Sequence, residues 1–288
     1  MWAFFALGTA LLTSFNPLLY KQMLKEVSAL VVVWGVMLLS LPLLGFLALV
    51  TTPHLPALDW VFVASALGSA ALNVAAHLSF TRALKLADVS QVTPLLNITP
   101  VFTLFLSAML LGEFPTTRGL IGVVVVLLGA YWLNRPEGVS WFAPLKYMAL
   151  TPANGLVILA GLLWAVTPVL EKTAIEHTSP ASPRFVAFVI SLLLGLLLSF
   201  AVAARRSAIR VLTQHRRAWL MAGIIAGTAP IFGYTAFSLG LVGYVTTLFK
   251  LSSVLTIVWS FLLLREEKAL HRLPAAIVMV IGALLIVL

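Results

Sequence analysis

Lys250 is the residue whose type and position most clearly suggest chemistry. It lies inside the apolar stretch 244–264, which contains no other charged residue. A charge at membrane depth is costly, so such residues usually face a cavity or a partner and mark a substrate path. Hydroxyl side chains occur at the same depth, at Thr246, Thr247, Ser252 and Ser253. An ammonium group in that setting is suited to binding a carboxylate or a phosphate.

A second interpretation of Lys250 stays open at this point. A helical side chain points back toward the N-terminus of its helix, and Lys250 follows Tyr244 by six residues. That spacing places it about 9 Å below the membrane surface, a depth that a lysine stem can partly span by snorkelling to the headgroups.

An internal repeat places a polar residue at the position equivalent to Lys250. At an offset of 153 residues, Glu113 matches Glu266 and Gly129-Ala130 matches Gly282-Ala283. The same offset pairs Asn97 with Lys250. Thr93 lies beside Asn97, and Pro94 and Pro100 interrupt the helix around it. Proline frees backbone carbonyls, which a membrane span tolerates only against protein or a wet cavity. We therefore expect Asn97 and Lys250 to face each other across a binding site, although interhelical hydrogen bonding alone would also explain these polar residues.

Other candidates occur on the remaining apolar runs. Asn73 and His77 are four residues apart, hence on one helix face, and could line a cavity or form a packed pair. Trp164 falls in mid-span, where it could supply a stacking wall or simply pack.

Asn16-Pro17 and Thr167-Pro168 stand at matched places near the start of each half, at an offset of 151. Asn16 is a candidate binding residue, and Pro17 and Pro168, like Pro94 and Pro100, are candidate hinges or static kinks.

The elements that carry these residues are membrane helices. The chain is 61% hydrophobic and 9% charged, against about a quarter charged in soluble domains. Apolar runs of roughly 20 residues, the length that crosses a bilayer, occur near 2–20, 28–50, 60–81, 89–111, 118–134, 153–171, 184–203, 218–238, 243–264 and 272–288. The fold class is therefore an all-α polytopic membrane protein with ten transmembrane helices.

The basic residues predict the orientation. Joints after odd-numbered spans carry fourteen Lys or Arg residues, whereas joints after even-numbered spans carry only Arg118, Lys172 and Arg184. The positive-inside rule then places the odd joints in the cytoplasm and both termini outside. We expect a multi-pass protein of the plasma (bacterial inner) membrane. The basic residues at span ends are topology signals, so we predict no nucleic-acid partner.

Each half contains an odd number of spans, so the second half enters the membrane from the opposite side. This predicts two inverted five-helix repeats, 1–134 and 153–288, joined by an interfacial linker at 135–152. Inverted repeats are typical of secondary carriers, with the substrate site near mid-bilayer.

The stretch from Ala83 to Leu133 resembles the EamA repeat of the drug/metabolite transporter superfamily, and Tyr244 to Leu288 resembles its second copy. The resemblance covers both halves and implies a transporter, without indicating the substrate. Many members are described with cytoplasmic termini, whereas the charge distribution here predicts external ones.

All nine acidic residues are expected at joints or span ends, so the cavity should be positive or neutral. This favours a small anionic or zwitterionic metabolite, carried by alternating access between the repeats. The alternative is a lipid-linked phosphate carrier or flippase of the same fold. The chain has no cysteine and none of the usual catalytic motifs, so we predict no enzyme activity, metal or cofactor. The expected partners are a small-molecule substrate and the lipid bilayer. We expect the protein to be a monomer or a weak dimer.

Overall fold

The fold was analysed in a computed structural model, which describes residues 1–24, 28–52, 54–86, 93–134, 151–202, 216–264 and 272–288. The linker predicted at 135–152 lies almost wholly outside the described residues. The helices within them are α1 Trp2–Thr13, α2 Asn16–Met23, α3 Ala29–Thr51, α4 Trp60–Leu86, a 3-10 helix Thr93–Ile98, α5 Thr99–Leu111, α6 Thr117–Asn134, α7 Pro152–Glu176, α8 Pro183–Val202, α9 Arg216–Leu239, α10 Val242–Phe249, α11 Ser252–Leu264 and α12 Leu273–Val287.

These helices confirm the ten predicted spans. Three spans are broken, since α1 is followed by α2, the 3-10 helix by α5, and α10 by α11. Seven segments are long and apolar enough to cross a membrane, and three apolar helices are shorter: Leu95–Leu111, Thr117–Leu133 and Leu273–Val287. Helix is the expected choice because hydrocarbon offers backbone N–H and C=O groups no partner outside the segment.

Several of the main helix contacts correspond to one another under exchange of the two halves. The contact of α4 with α7 corresponds to that of α9 with α1, and α4 with α8 corresponds to α9 with α3. Likewise, α5 packs on α7 as α10 packs on α1. Three pairs, α3 with α8, α5 with α10 and α6 with α12, join equivalent helices directly. The two-repeat architecture predicted from the sequence is therefore present in the packing.

Glycines allow the equivalent helices to approach closely. A Cβ on Gly282 of α12 would lie 2.6 Å from the Val126 backbone nitrogen and 2.8 Å from the Gly122 carbonyl oxygen of α6. A Cβ on Gly243 of α10 would lie 2.9 Å from Cα of Leu104 in α5. Small residues at such crossings are typical of membrane helix pairs. The repeated Gly-Ala motif is thus explained by packing.

The joints that follow the even-numbered spans are bonded together at one end of the bundle. Strand β1 (Ala57–Leu58) pairs antiparallel with β2 (Thr178–Ser179). Beside it, Asp59 Oδ2 lies 2.7 Å from His177 Nδ1. We call this end, which also carries Glu113, Lys172 and Val242, the clasp face. Helix α1 begins there, with the Trp2 ring 6.2 Å from that of Tyr244, whereas α7 ends there. The two halves therefore cross the membrane in opposite senses.

Candidate functional site

A cavity of about 390 Å³ lies between the two repeats, where the broken spans meet α7. It is lined mainly by hydroxyl, amide and aromatic side chains around one ammonium group. The lining residues are Thr9, Thr13, Leu96, Asn97, Thr99, Pro100, Thr103, Trp164, Thr246, Phe249, Lys250, Ser252 and Ser253. Four of the predicted binding residues, namely Lys250, Asn97, Thr246 and Trp164, are brought together there.

Lys250 points into the protein. Its Nζ donates a hydrogen bond to the carbonyl oxygen of Leu96 at 3.3 Å. In an α-helix the donor to this oxygen would be the N–H of residue 100, and Pro100 has none. The ammonium group of the second repeat thus compensates for a backbone donor missing from the first. Its contact is with a carbonyl of the opposite repeat, so the side chain does not snorkel to the headgroups.

The helix break at Lys250 shapes this position. Lys250 caps the C-terminal end of α10, and Leu251 N bonds to Leu248 O at 3.0 Å before α11 starts at Ser252. At the equivalent place in the first repeat, Asn97 lies in the 3-10 helix just before α5. Discontinuous helices at matched positions of two repeats are typical of substrate sites in transporters.

Asn97 contributes to both the cavity and the packing. It is buried, and its Nδ2 donates to the carbonyl oxygen of Ala130 in α6 at 3.1 Å. This bond holds the 3-10 helix against α6. The side chains of its neighbours Thr93 and Pro94, predicted as a ligand and a hinge, lie outside the described part of the chain.

The two threonines that precede Lys250 have different environments. Thr246 lines the cavity while its hydroxyl donates to Val242 O at 3.0 Å. Thr247 is fully buried outside the cavity, and its hydroxyl donates to Gly243 O at 2.7 Å. Thr246 therefore remains a candidate ligand, and Thr247 sits in the packing of α10.

Asn73 and His77 lie in the packing interface between α4 and α7, beside the cavity and not among its lining residues. The His77 ring packs edge-on to Trp164, with the ring centroids 5.2 Å apart. Asn73 Nδ2 donates to Ser69 O at 3.1 Å. Trp164 thus separates His77 from the cavity, because its ring both lines the cavity and contacts the imidazole.

Asn16 and Pro17 begin α2, at the break in the first span. The preceding Ser14 is held by α11, since Trp259 Nε1 donates to its Oγ at 2.8 Å and Thr256 Oγ1 donates to its carbonyl oxygen at 2.8 Å. Asn16 Oδ1 is buried without a hydrogen-bond partner. Asn16 is not among the cavity-lining residues.

Pro168 lies inside the continuous helix α7. It lacks the N–H that would donate to the carbonyl oxygen of Trp164, and Thr167 Oγ1 donates to that oxygen instead, at 3.3 Å. The matched Pro17 instead lies at the start of α2, just after the break in its span. The two equivalent prolines therefore differ in local backbone structure, one at a helix start and one inside a helix.

The clasp face is closed by a buried ion pair that the sequence did not reveal. Lys172 Nζ is ion-paired with Glu113 Oε1, and it donates to Gly240 O at 2.9 Å. Glu113 Oε2 accepts from the backbone N–H of Val242 at 2.7 Å. These bonds link the ends of α5, α7, α9 and α10. Glu113 therefore holds helix ends together in this structure, and Glu266, its repeat equivalent, lies outside the described residues.

Glu171 corrects one expectation. The sequence placed every acidic residue at a joint or span end, with the sixth span ending at residue 171. Helix α7 continues to Glu176, so Glu171 lies inside the helix and only 8% of its surface is exposed. Hydropathy could not find the true end, because the last turns of α7 mix charged and apolar residues.

Sequence reasoning also missed hydroxyl groups of the cavity, among them those of Thr9 and Thr13. Both threonines lie on α1, one turn apart, and line the cavity. Their i, i+4 spacing in an otherwise apolar helix was the available signal. Among the described residues no group of three or more His, Cys, Asp or Glu side chains could hold a metal ion.

The fold and the cavity define a multi-pass membrane protein built from two inverted helical repeats, with a polar site between them. The sequence profile of the EamA-like transporter family matches residues 1–135 and 151–288, and the chain belongs to that family. No curated protein matches the sequence. A solved crystal structure of a protein shares the fold, with a TM-score of 0.81 and 19% identity over 100% of this chain and 98% of that chain.

Proposed function

We propose that the protein is a secondary transporter for a small anionic or zwitterionic metabolite, with Lys250 as the group that binds the anion. The observation that carries the proposal is the environment of Lys250. Its Nζ contacts a neutral carbonyl oxygen, and no carboxylate forms an ion pair with it among the described residues. A charged ammonium in such a site gains most from a ligand that brings the missing negative charge.

The remaining lining is suited to a small polar solute. Thr9, Thr13, Ser253 and Asn97 line the same cavity as Lys250 and bring hydroxyl and amide groups to it. Trp164 and Phe249 add apolar walls. A volume of about 390 Å³ is at the lower end of the range for small-molecule pockets. An amino acid, a small organic acid or a phosphate ester fits this combination of charge, hydroxyl groups and size.

Alternating access follows from the symmetry of the repeats. In this conformation the ion pair of Glu113 with Lys172 holds the helix ends of the clasp face together. It lies at the start of α10, where Glu113 binds Val242, whereas the cavity lies at the other end, next to Lys250. Lys250 follows Val242 by eight residues, or about 12 Å along the helix. We propose that the ion pair closes the site toward the clasp face and breaks when the two repeats exchange conformations.

The clasp face carries the basic-poor joints, which include Arg118 and Arg184. By the positive-inside rule this face is extracytoplasmic, as are both termini. We propose the plasma (bacterial inner) membrane as the location, and residues 1–134 and 153–288 as the two moving units.

The experiment is a ligand-stabilisation screen of the purified protein in detergent, in which anionic, zwitterionic and cationic metabolites are compared by their effect on the melting temperature. We expect anions to stabilise the wild-type protein. Any compound that stabilises it is then tested for uptake into proteoliposomes. Lys250→Gln should lose both effects, while Lys85→Gln, which makes the same change at an exposed position of α4 outside the cavity, should keep both.

Two outcomes contradict the proposal. Preferential stabilisation by organic cations would show that the cavity selects the opposite charge. Unchanged transport by a folded Lys250→Gln protein would show that the ammonium group is not the ligand. Elution as a monodisperse peak establishes that each variant is folded.

One observation favours the alternative function, a lipid-linked phosphate carrier or flippase. A groove of about 680 Å³ opens at the clasp face, where Arg118 and Lys172 lie beside the apolar end of α12, residues 285–288. Cationic groups next to apolar helix ends are suited to a lipid phosphate and its chains. Stabilisation by phosphatidic acid that persists in Lys250→Gln and disappears in Arg118→Gln would assign the headgroup to this groove.

A further inference from the structure

Glu171 is a buried carboxyl group with no cationic partner in the part of the chain that the structure describes. It is as buried as Glu113, since each has 8% of its surface exposed. Glu113 is paired with Lys172, whereas Glu171 has no ion pair among the described residues. Its Oε1 accepts a hydrogen bond from Ser69 Oγ of α4 at 3.0 Å. The Tyr234 hydroxyl of α9 also approaches the carboxyl group.

The elements packed against α7 offer no positive charge to Glu171. Tyr234 is the group that faces it from α9, and the nearest titratable side chain on α4 is His77, two turns beyond Ser69. Lys172 follows Glu171 in α7, but its amine is bound to Glu113 and Gly240. Three of the other elements packed against α7 have no titratable group, namely α5, the 3-10 helix and β2. Helix α8 has Arg184 at its start, and α10 has Tyr244, which is hydrogen-bonded to Thr116.

Burial of a carboxylate among neutral groups is unfavourable, because removing the ion from water costs several kcal/mol when no opposite charge compensates it. Such a group is neutralised by binding a proton or a metal cation. Among the described residues no group of three or more His, Cys, Asp or Glu side chains could hold a metal cation, so we infer that the proton is the neutralising ion. The carbonyl oxygen of Ser69 already accepts from Asn73 at 3.1 Å.

A row of polar side chains leads from Glu171 to the cavity. Ser69, Asn73 and His77 are spaced one turn apart on the face of α4 that packs on α7. Asn73 Nδ2 lies 3.4 Å from Ser69 Oγ, and His77 contacts Trp164. Trp164 lines the substrate cavity and precedes Glu171 by seven residues, about 10 Å along α7. The acid is thus placed two turns from the cavity, at the end of a polar row.

We propose that Glu171 is the proton-coupling site of this transporter, and that it takes up and releases one proton in each transport cycle. The assignment rests on the proposed transport function. In the conformation seen here the carboxyl group holds the proton while its Oε1 accepts the hydrogen bond from Ser69 Oγ. When the repeats exchange conformations and α7 moves relative to α4 and α9, the group meets water and the proton leaves as H⁺, regenerating the carboxylate.

The test is infrared difference spectroscopy of the purified full chain during a pH titration, which detects the carbonyl band of a protonated carboxyl group without any substrate. We expect a band that titrates in the wild-type protein and is missing in Glu171→Gln. Glu176→Gln is the matched control, because it removes an exposed glutamate from the same helix and should leave the band in place. If Glu171→Gln does not fold, Tyr234→Phe, which removes one neighbouring hydroxyl, should shift the titration midpoint.

Three results would overturn the proposal. The first is a spectrum without a band from Glu171, and the second is a band that does not change over the range of about pH 5 to 8 in which a coupling group has to titrate. The third is a band that disappears when sodium replaces potassium, which would identify a sodium site. The test is independent of the anion site, since Lys250→Gln should abolish anion stabilisation and retain the Glu171 band. Conversely, Glu171→Gln should keep anion stabilisation and lose its pH dependence.

Discussion

Two lysines of the second repeat differ in what surrounds them. Lys172 lies at the clasp face, where Glu113 supplies an opposite charge and Gly240 a carbonyl oxygen. Lys250 lies at the break between α10 and α11, where the carbonyl oxygen of Leu96 is its hydrogen-bond acceptor. A lysine with its charge compensated holds helices together, whereas one with a neutral partner and an adjoining cavity is ready for an anionic ligand. The same side chain type thus has a structural role at one depth and a proposed binding role at another.

The largest expected effect is the loss of the ion pair at the clasp face. Breaking a buried pair by removing one partner costs about 3–5 kcal/mol, because the other charge is left buried and unpaired. We therefore expect Glu113→Gln to lower the melting temperature strongly. The double variant Glu113→Gln with Lys172→Gln should be more stable than the sum of the single changes predicts. Additive losses in a thermal double-mutant cycle would show that the two side chains do not interact.

Substitution of Lys250 should, in contrast, have little effect on stability. Lys250→Gln removes a partly desolvated charge without breaking an ion pair, so we expect the free energy of unfolding to stay within about 1 kcal/mol of the wild-type value or to rise. Thermal unfolding in detergent measures this directly. A loss as large as that of Lys172→Gln would mean that Lys250 is also a structural group, and the contrast between the two lysines would disappear.

The repeat offers a further way to sharpen the comparison. Positions 97 and 250 are equivalent and line one cavity, so moving the charge from one to the other should keep it within the site. We expect Asn97→Lys combined with Lys250→Asn to recover part of the anion stabilisation that Lys250→Asn alone loses. The thermal-shift screen provides the measurement. No recovery in a folded double variant would show that the position of the charge, and not its presence in the cavity, decides binding.

The smallest effect is expected at the exposed pair of Asp59 and His177. The hydrogen bond from the backbone N–H of Phe62, together with that from His177, lowers the pKa of Asp59 below its ordinary value of 3.8. A lowered folded-state pKa contributes stability above the ordinary value, and this is lost as the pH falls through the folded-state pKa. Asp59→Asn should therefore be slightly less stable than wild type at neutral pH and equal to it in strong acid. A difference that grows in acid would contradict the sign of this shift.

The sequence was sufficient for the features that depend on periodicity and repetition. Apolar runs gave the ten spans, and the match of Glu113 with Glu266 and of Gly129-Ala130 with Gly282-Ala283 indicated the repeats. The same offset paired Asn97 with Lys250, and both line the cavity in the structure. These signals are local in sequence or fixed by a constant offset, so a single chain contains them in full.

Side-chain partners across the bundle could not be predicted in this way. Nothing in the sequence pairs Glu113 with Lys172, which are 59 residues apart. The burial of Glu171 depends on how α7 packs against α4 and α9, and hydropathy ended the sixth span at that residue. Thr247 and Asn73 were predicted to line the cavity and instead lie in the helix packing. Their depth in the membrane could be predicted from the sequence, but the rotation of their helices relative to the cavity could not.

The central claim is that Lys250 provides the charge that binds an anion between the two repeats. It is tested most directly by measuring the affinity of the stabilising anion for the wild-type protein and for Lys250→Gln by titration calorimetry. A hydrogen bond to a charged group contributes about 1.5–3 kcal/mol, so the dissociation constant should rise about 10- to 150-fold in the variant. An unchanged dissociation constant in folded Lys250→Gln protein would contradict the account.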